Sequence, residues 1–351
     1  MQARSSRPCL CLPIPHNWRE TPRRSLASRL ATPKVEKSIK QVGGKVLLFG
    51  AGASHGAGHV LPFEPPLGRE AYDRLADAYP REWGPGSLLA RFASQFRGQG
   101  FEKTMFEEVF GWIPTWDVLL AQRAMALYFA RFSPDPTGND LYSRLVQRLR
   151  ETDELGRITF ASLNYDCVLE QAATQLGLRV DYSGNTPDSG TVAVLKPHGS
   201  CNFITTDVAP YRAQLAARGF FLDCGMDYLP STGLESLLAS TFAQTRACYF
   251  PVLSLYASYR NSLVSDRRIQ EIRNQWSNRV SEASVIGIVG VRPNPDDPYI
   301  WEAMRSTPAR PAFIGARSDF EGWSSANRRF EFLGNTFEEG FENLIATLLA
   351  A

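Results

Sequence analysis

Five residues of strand character, Lys45-Val-Leu-Leu-Phe49, run straight into Gly50 and Gly52 and reach Ser54 two positions later. A short apolar run bounded by glycines reads as a buried strand of a parallel sheet. Glycines just past such a strand let the backbone turn sharply and approach a ligand with no Cβ in the way. Backbone N–H groups exposed in that turn suit a pyrophosphate. The spacing Gly50-x-Gly52-x-x-x-Gly56 departs from the Gly-x-Gly-x-x-Gly dinucleotide pattern. Taken alone, the turn is equally a strand-to-helix corner with no ligand.

The same arrangement recurs along the chain. Strand patterns over 158–163 and 192–195 run into Asn164-Tyr-Asp166 and Lys196-Pro-His-Gly-Ser200. A fourth covers 285–289, followed by a loop over 290–297, and a fifth covers 312–316. Helical periodicity lies between them, over 69–78, 88–98, 103–111, 117–132, 140–151, 168–176, 269–283, 298–304 and 337–349. Strand, polar turn and helix in repetition specify an α/β fold: a Rossmann-like parallel sheet with helices on both faces. About 85 mainly helical residues separate the first strand's loop from the next strand, too many for a simple crossover. A helical insertion after the first strand is therefore expected over about 67–150, with the helix at 117–132 forming core or an oligomer face. The stretch 201–265, aromatic and dotted with Pro and Gly, yields no assignable elements. Ligands of such sheets bind beyond the carboxyl ends of the strands, so the polar residues at these ends should converge.

Residues 1–40 carry nine basic and two acidic side chains, which leaves the rest of the chain acidic by five charges. Pro8, Pro13, Pro15 and Pro22 argue against the amphipathic helix of a transit peptide. A basic, disordered extension is expected there, with a single domain over 41–351. The small net charge and the lack of a long apolar run point to neither a nucleic-acid nor a membrane partner. None of the six cysteines forms a Cys-x-x-Cys pair, so they read as free thiols of a reducing cytosol rather than a zinc ribbon. His55 and His59 have i, i+4 spacing, but Gly56 and Gly58 between them argue against a metal-binding helix.

Three strand ends, in this order, carry Gly50-Ala-Gly-Ala-Ser54, Ser162-Leu-Asn-Tyr-Asp166 with Leu169-Glu170 beyond it, and Lys196-Pro-His-Gly-Ser200. Together they resemble the sirtuin-like family, whose members carry a Gly-Ala-Gly-(Ala/Ile)-Ser turn, an Asn-x-Asp and a His-Gly at these places. The resemblance spans roughly residues 44–345. It is greater to the prokaryotic branch that hydrolyses NAD+, many of whose members are effectors of antiphage defence, than to the protein deacylases. Deacylases have a Cys-x-x-Cys zinc module that this chain lacks. They place Pro-Asp-Phe-Arg where Leu61-Pro-Phe-Glu64 stands, and Gly-Thr/Ser-Ser where Gly287-Ile-Val-Gly290 stands. The resemblance implies NAD+ as substrate and no metal. Gly50, Ala51, Gly52, Ala53 and Ser54 would hold its pyrophosphate, with Gly199, Ser200, Gly290 and Asp297 as further contacts. An NAD+-depleting enzyme that is always on would poison its own cell, so control by homo-oligomerisation or by a separate sensor or regulatory protein is expected, and the free thiols place it in the cytoplasm.

Breaking the nicotinamide–ribose bond passes through an oxocarbenium-like centre. The leaving nicotinamide sheds its own positive charge and needs no general acid. Asn164 can orient a water or the ribose hydroxyls, and His198 can take a proton from either. Asp166 can accept from the carboxamide and place negative charge near the forming cation. Singly, Asn164 and Asp166 serve equally as helix caps, His198 as a structural histidine and Gly199 as a turn. Lys196 reads as a solvated or salt-bridged cation more readily than a phosphate ligand, and Asp296 and Asp297 as helix caps or ribose ligands. Two other functions stay open at this level: a non-catalytic NAD or ADP-ribose sensor, and an NAD-dependent deacylase or ADP-ribosyltransferase.

Overall fold

The computed structural model describes residues 44–94, 97, 113–184, 190–206, 208, 222–244, 249–254, 262–326 and 329–350. The extension at 1–40, the helix expected at 103–111 and Cys9, Cys11 and Cys248 lie outside them. The first strand is Gly44–Phe49 (β1), buried from its second residue onward. In chain order follow β2 (Val60–Leu61), β3 (Ser133–Pro134), β4 (Ile158–Ser162), β5 (Arg179–Asp181), β6 (Thr191–Leu195) and β7 (Gly199–Thr206). Then come β8 (Gly225–Tyr228), β9 (Pro251–Leu253), β10 (Ala283–Val289), β11 (Arg310–Ile314) and β12 (Glu331–Gly334).

Seven strands form one sheet in the order β12-β11-β10-β1-β4-β6-β5, with every pairing parallel. This is the expected Rossmann-like sheet with helices on both faces. Near-continuous Val, Ile, Leu and Phe suit strands that are covered on both sides. Phe49 packs against Tyr142, Phe160 and Phe337, with ring centroids 5.2, 6.3 and 6.1 Å apart. The helices Leu141–Glu151 and Phe337–Leu349 thus share one face with the aromatic end of β1. The charge in β1, Lys45, is 1 % exposed and meets Glu154 at 2.8 Å.

The chain leaves β1 toward β4 and later returns from β6 to β10, on the other side of β1. Strand order reverses at β1, so the connections diverge there and leave a crevice beyond its carboxyl end.

The helical insertion closes on a short antiparallel ladder, Val60 opposite Pro134 and Leu61 opposite Ser133. Helix Gly68–Ala78, a 3-10 turn at Leu88–Phe92 and helix Thr115–Ala130 lie between these two strands. Helix Leu141–Glu151, expected inside the insertion, falls outside that neck and packs on helices Val168–Gln175 and Phe337–Leu349. Of the 16 residues of Thr115–Ala130, 12 are buried, which makes this helix core. It packs on β7, β9 and helix Leu234–Gln244. The stretch that gave no elements from sequence contains a three-stranded antiparallel sheet, β8-β7-β9, and that helix.

Candidate functional site

A cavity of about 650 Å³ lies along the carboxyl ends of six neighbouring strands. Asn335 after β12, Gly315 after β11, Gly290 after β10, Gly50 after β1, Asn164 after β4 and His198 after β6 all line it. Strands stand about 4.8 Å apart, so the outer two of the six are roughly 24 Å from one another. The site is thus long, on the scale of an extended dinucleotide. The insertion walls it with Pro65, Pro66, Met125 and Phe129.

The glycine corner is built by close backbone approach between β1 and β10. Gly50 N–H donates to Val289 O and Gly52 N–H to Gly290 O, both at 3.0 Å. A Cβ on Gly50 would stand 2.6 Å from Gly290 O. One on Gly290, whose φ is +62°, would stand 2.2 Å from Ala53 N. Both positions therefore demand glycine for packing, before any ligand is considered. Ala53 N–H is also spent inside the chain, on Gly50 O at 2.9 Å. What the corner offers the cavity is a Cβ-free wall rather than a full cradle of amides.

Ser54, expected at a pyrophosphate, is 1 % exposed and sits behind the wall. Its Oγ accepts from Asn164 Nδ2 at 2.8 Å and donates to Asp166 Oδ1 at 3.2 Å. With that proton given away it accepts from Tyr142 OH at 3.1 Å. Ser54 is the post on which the two residues after β4 are hung. Asn164 Nδ2 also donates to Gly50 O at 2.9 Å. A carbonyl accepts only, so this contact fixes which end of the amide faces inward. Both amide hydrogens are committed, and Oδ1 is the atom left for a ligand hydroxyl or a water. Of the other expected contacts, Gly50, Ala51, Gly52, Asn164, Asp166, His198, Gly290 and Asp297 line the cavity. Ala53, Gly199 and Ser200 are buried and do not line it.

Burial pushes the Asp166 carboxyl upward, against the pull of the Lys196 ammonium and the Val168 N–H. Burial likewise raises Tyr142 far above the ordinary phenol value, so its hydroxyl stays protonated. In the unfolded chain an aspartate titrates at about 3.9. The folded protein holds the Asp166 proton more tightly, so its contribution to stability is complete below that value and is lost as pH rises through the folded one. Asp166→Asn keeps the shape without the titration. Its urea midpoint should therefore fall less than that of the wild type between about pH 4 and pH 7. A wild-type midpoint that falls no more steeply than the variant's would contradict this.

Beneath Asp166 lies a buried ion pair. Lys196 Nζ stands 3.1 Å from Glu170 Oε1, with side chains 0 % and 1 % exposed, and donates to Asp166 O at 2.7 Å. Lys196 is a salt-bridged support and not a surface cation. Arg273 braces the next loop, donating from Nε to Pro197 O at 3.0 Å and from Nη2 to Ser254 Oγ at 2.9 Å. His198 Nε2 meets Asp297 Oδ2 at 2.8 Å.

Sequence reading missed the far end of the cavity, where Asn335, Thr336, Arg292 and Asp319 stand. A readable signal did exist there. Thr336-Phe-Glu-Glu339 is a capping signature, and Thr336 Oγ accepts from Glu339 N at 3.2 Å. It marks a helix start directly after a strand end.

Fold and site together define an α/β protein with one long cavity across the strand ends. No family model matches the chain, and no curated protein matches it. Among solved structures it is similar to a point mutant of a Sir2 homologue in complex with ADP-ribose, at 14 % identity and a TM-score of 0.36. That match covers 84 % of this chain and 95 % of the other. Likeness this distant assigns no role to any residue.

Proposed function

We propose that this protein hydrolyses NAD+ to nicotinamide and ADP-ribose. The observation that carries the reading is the convergence of Asn164 and Asp166, after β4, with His198, after β6, on one cavity of dinucleotide length. The nicotinamide end would lie near His198 and the adenosine end toward β11 and β12. The C1′–N bond breaks with its electron pair leaving on neutral nicotinamide, and charge develops on the ribose. Asp166 faces that charge, while the Asn164 Oδ1 orients a ribose hydroxyl or the water. The water oxygen bonds to C1′, and its proton passes to His198 and then to solvent.

The motif resemblance to NAD+-hydrolysing members of the sirtuin-like family supports the same reading. It extends the proposal to NAD+ depletion in antiphage defence, in the cytoplasm. Unrestrained NAD+ loss would poison the cell that makes the enzyme, so the proposal includes control by self-association or a partner protein that raises a low but measurable basal rate. Among the described residues, no helix is long and apolar enough to cross a membrane.

Product stoichiometry tests it. Incubation with NAD+ should release nicotinamide and free ADP-ribose in equal amounts. Nicotinamide without free ADP-ribose would mean transfer to an acceptor and would sink hydrolysis.

A further inference from the structure

His198 and Asp297 are 99 residues apart in the chain yet meet at 2.8 Å, with side chains 2 % and 4 % exposed. His198 follows β6 and Asp297 precedes helix Pro298–Ser306, so the contact joins the two halves of the sheet across β1. Asp297 occupies the N-cap position of that helix but makes no capping bond with its side chain. Its carboxylate turns to the imidazole instead. Both residues line the cavity.

The main chain around His198 is held from the other side. Ser254 N–H donates to His198 O at 2.9 Å, and Arg273 fixes Pro197 and Ser254 as described above. This clamp sets where the ring starts. It does not set which nitrogen is basic. An ionised carboxylate only accepts, so Nε2 carries the proton it accepts, and in the neutral ring the lone pair then lies on Nδ1.

We infer that Asp297 is a positioning residue for the hydrolysis proposed above, on which this inference rests. It holds His198 as the Nε2–H tautomer, makes Nδ1 the acceptor of the water proton and steadies the imidazolium that results. An Asp behind a catalytic imidazole acts in this way in unrelated hydrolases.

Asp297→Asn tests it, since the amide keeps the shape but can donate as well as accept. Nitrogen-edited NMR of the labelled imidazoles reads the tautomer directly. The chain has four histidines, and comparison with His198→Ala assigns the signal. The wild type should show His198 as Nε2–H, and Asp297→Asn should lose that signature. In nicotinamide release, kcat should fall on the order of 10²–10⁴-fold with KM within about threefold. A wild-type His198 in the Nδ1–H form, or an Asp297→Asn kcat within about threefold of wild type, overturns the inference. If the wild type releases no nicotinamide, the hydrolysis reading fails. The tautomer measurement, which needs no substrate, then still decides whether Asp297 sets the imidazole.

Discussion

Asn164→Ala should reduce nicotinamide release on the order of 10²–10³-fold, the usual effect of removing one preorganised polar group from a reacting centre. The amide is fixed before any substrate arrives, because both its hydrogens go to Gly50 O and Ser54 Oγ. Truncation also removes one of the two bonds to the Gly50 carbonyl, which keeps the Ala53 N–H, at a cost of about 1 kcal/mol of stability. Asn164→Asp separates the two effects. It restores the volume but sets a carboxylate oxygen against the Gly50 carbonyl, so it should be no more active than the alanine variant. Steady-state rates at saturating NAD+ check this. Near-wild-type turnover in either variant would remove Asn164 from the reaction.

Lys196→Met should lower unfolding free energy by about 3–5 kcal/mol, because it strands the Glu170 carboxylate at 1 % exposure. Buried ion pairs gain little over apolar replacements of similar volume but cost much when halved. The double variant Lys196→Met/Glu170→Leu should therefore recover most of the loss. Urea denaturation of the two single variants and the double gives the coupling directly. A double variant as unstable as the sum of the singles would mean that the pair does not act as a unit. Lys196 also donates to Asp166 O, so the double variant should regain stability more fully than turnover.

The strands that build the crevice were legible because they are covered on both faces and announce themselves as apolar runs. β1, β4, β6, β10 and β11 all lie within two residues of their expected positions. The two edge strands were not. Arg179–Asp181 and Glu331–Gly334 are short and partly exposed, so they carry no apolar run to detect. The antiparallel sheet around β7 escaped for a different reason. Gly199–Thr206 mixes Ser, Cys, Asn and Thr with its apolar residues yet is buried along nearly its whole length, and only tertiary context satisfies those polar groups.

At the site, residue types were readable but their partners were not. Asn164, Asp166 and His198 stand out in the sequence by their places after strands, and all three reach the cavity. Ser54 was expected at the ligand because its hydroxyl follows the glycine turn. In the fold that hydroxyl is used to hold Asn164 and Asp166. By sequence alone Asp297 reads as a cap or a ribose ligand. Its meeting with His198 depends on the reversal of strand order at β1, which no local pattern encodes.

The most direct test of the hydrolysis reading is nicotinamide release from NAD+ by purified full-length protein at micromolar concentration, with Asn164→Ala and His198→Ala alongside. ADP-ribose binding is measured calorimetrically on the same samples. Release by the wild type, lost in both variants while ADP-ribose still binds, is the predicted result. A wild type that binds ADP-ribose and releases no nicotinamide at any protein concentration would contradict hydrolysis and leave a sensor on the same fold.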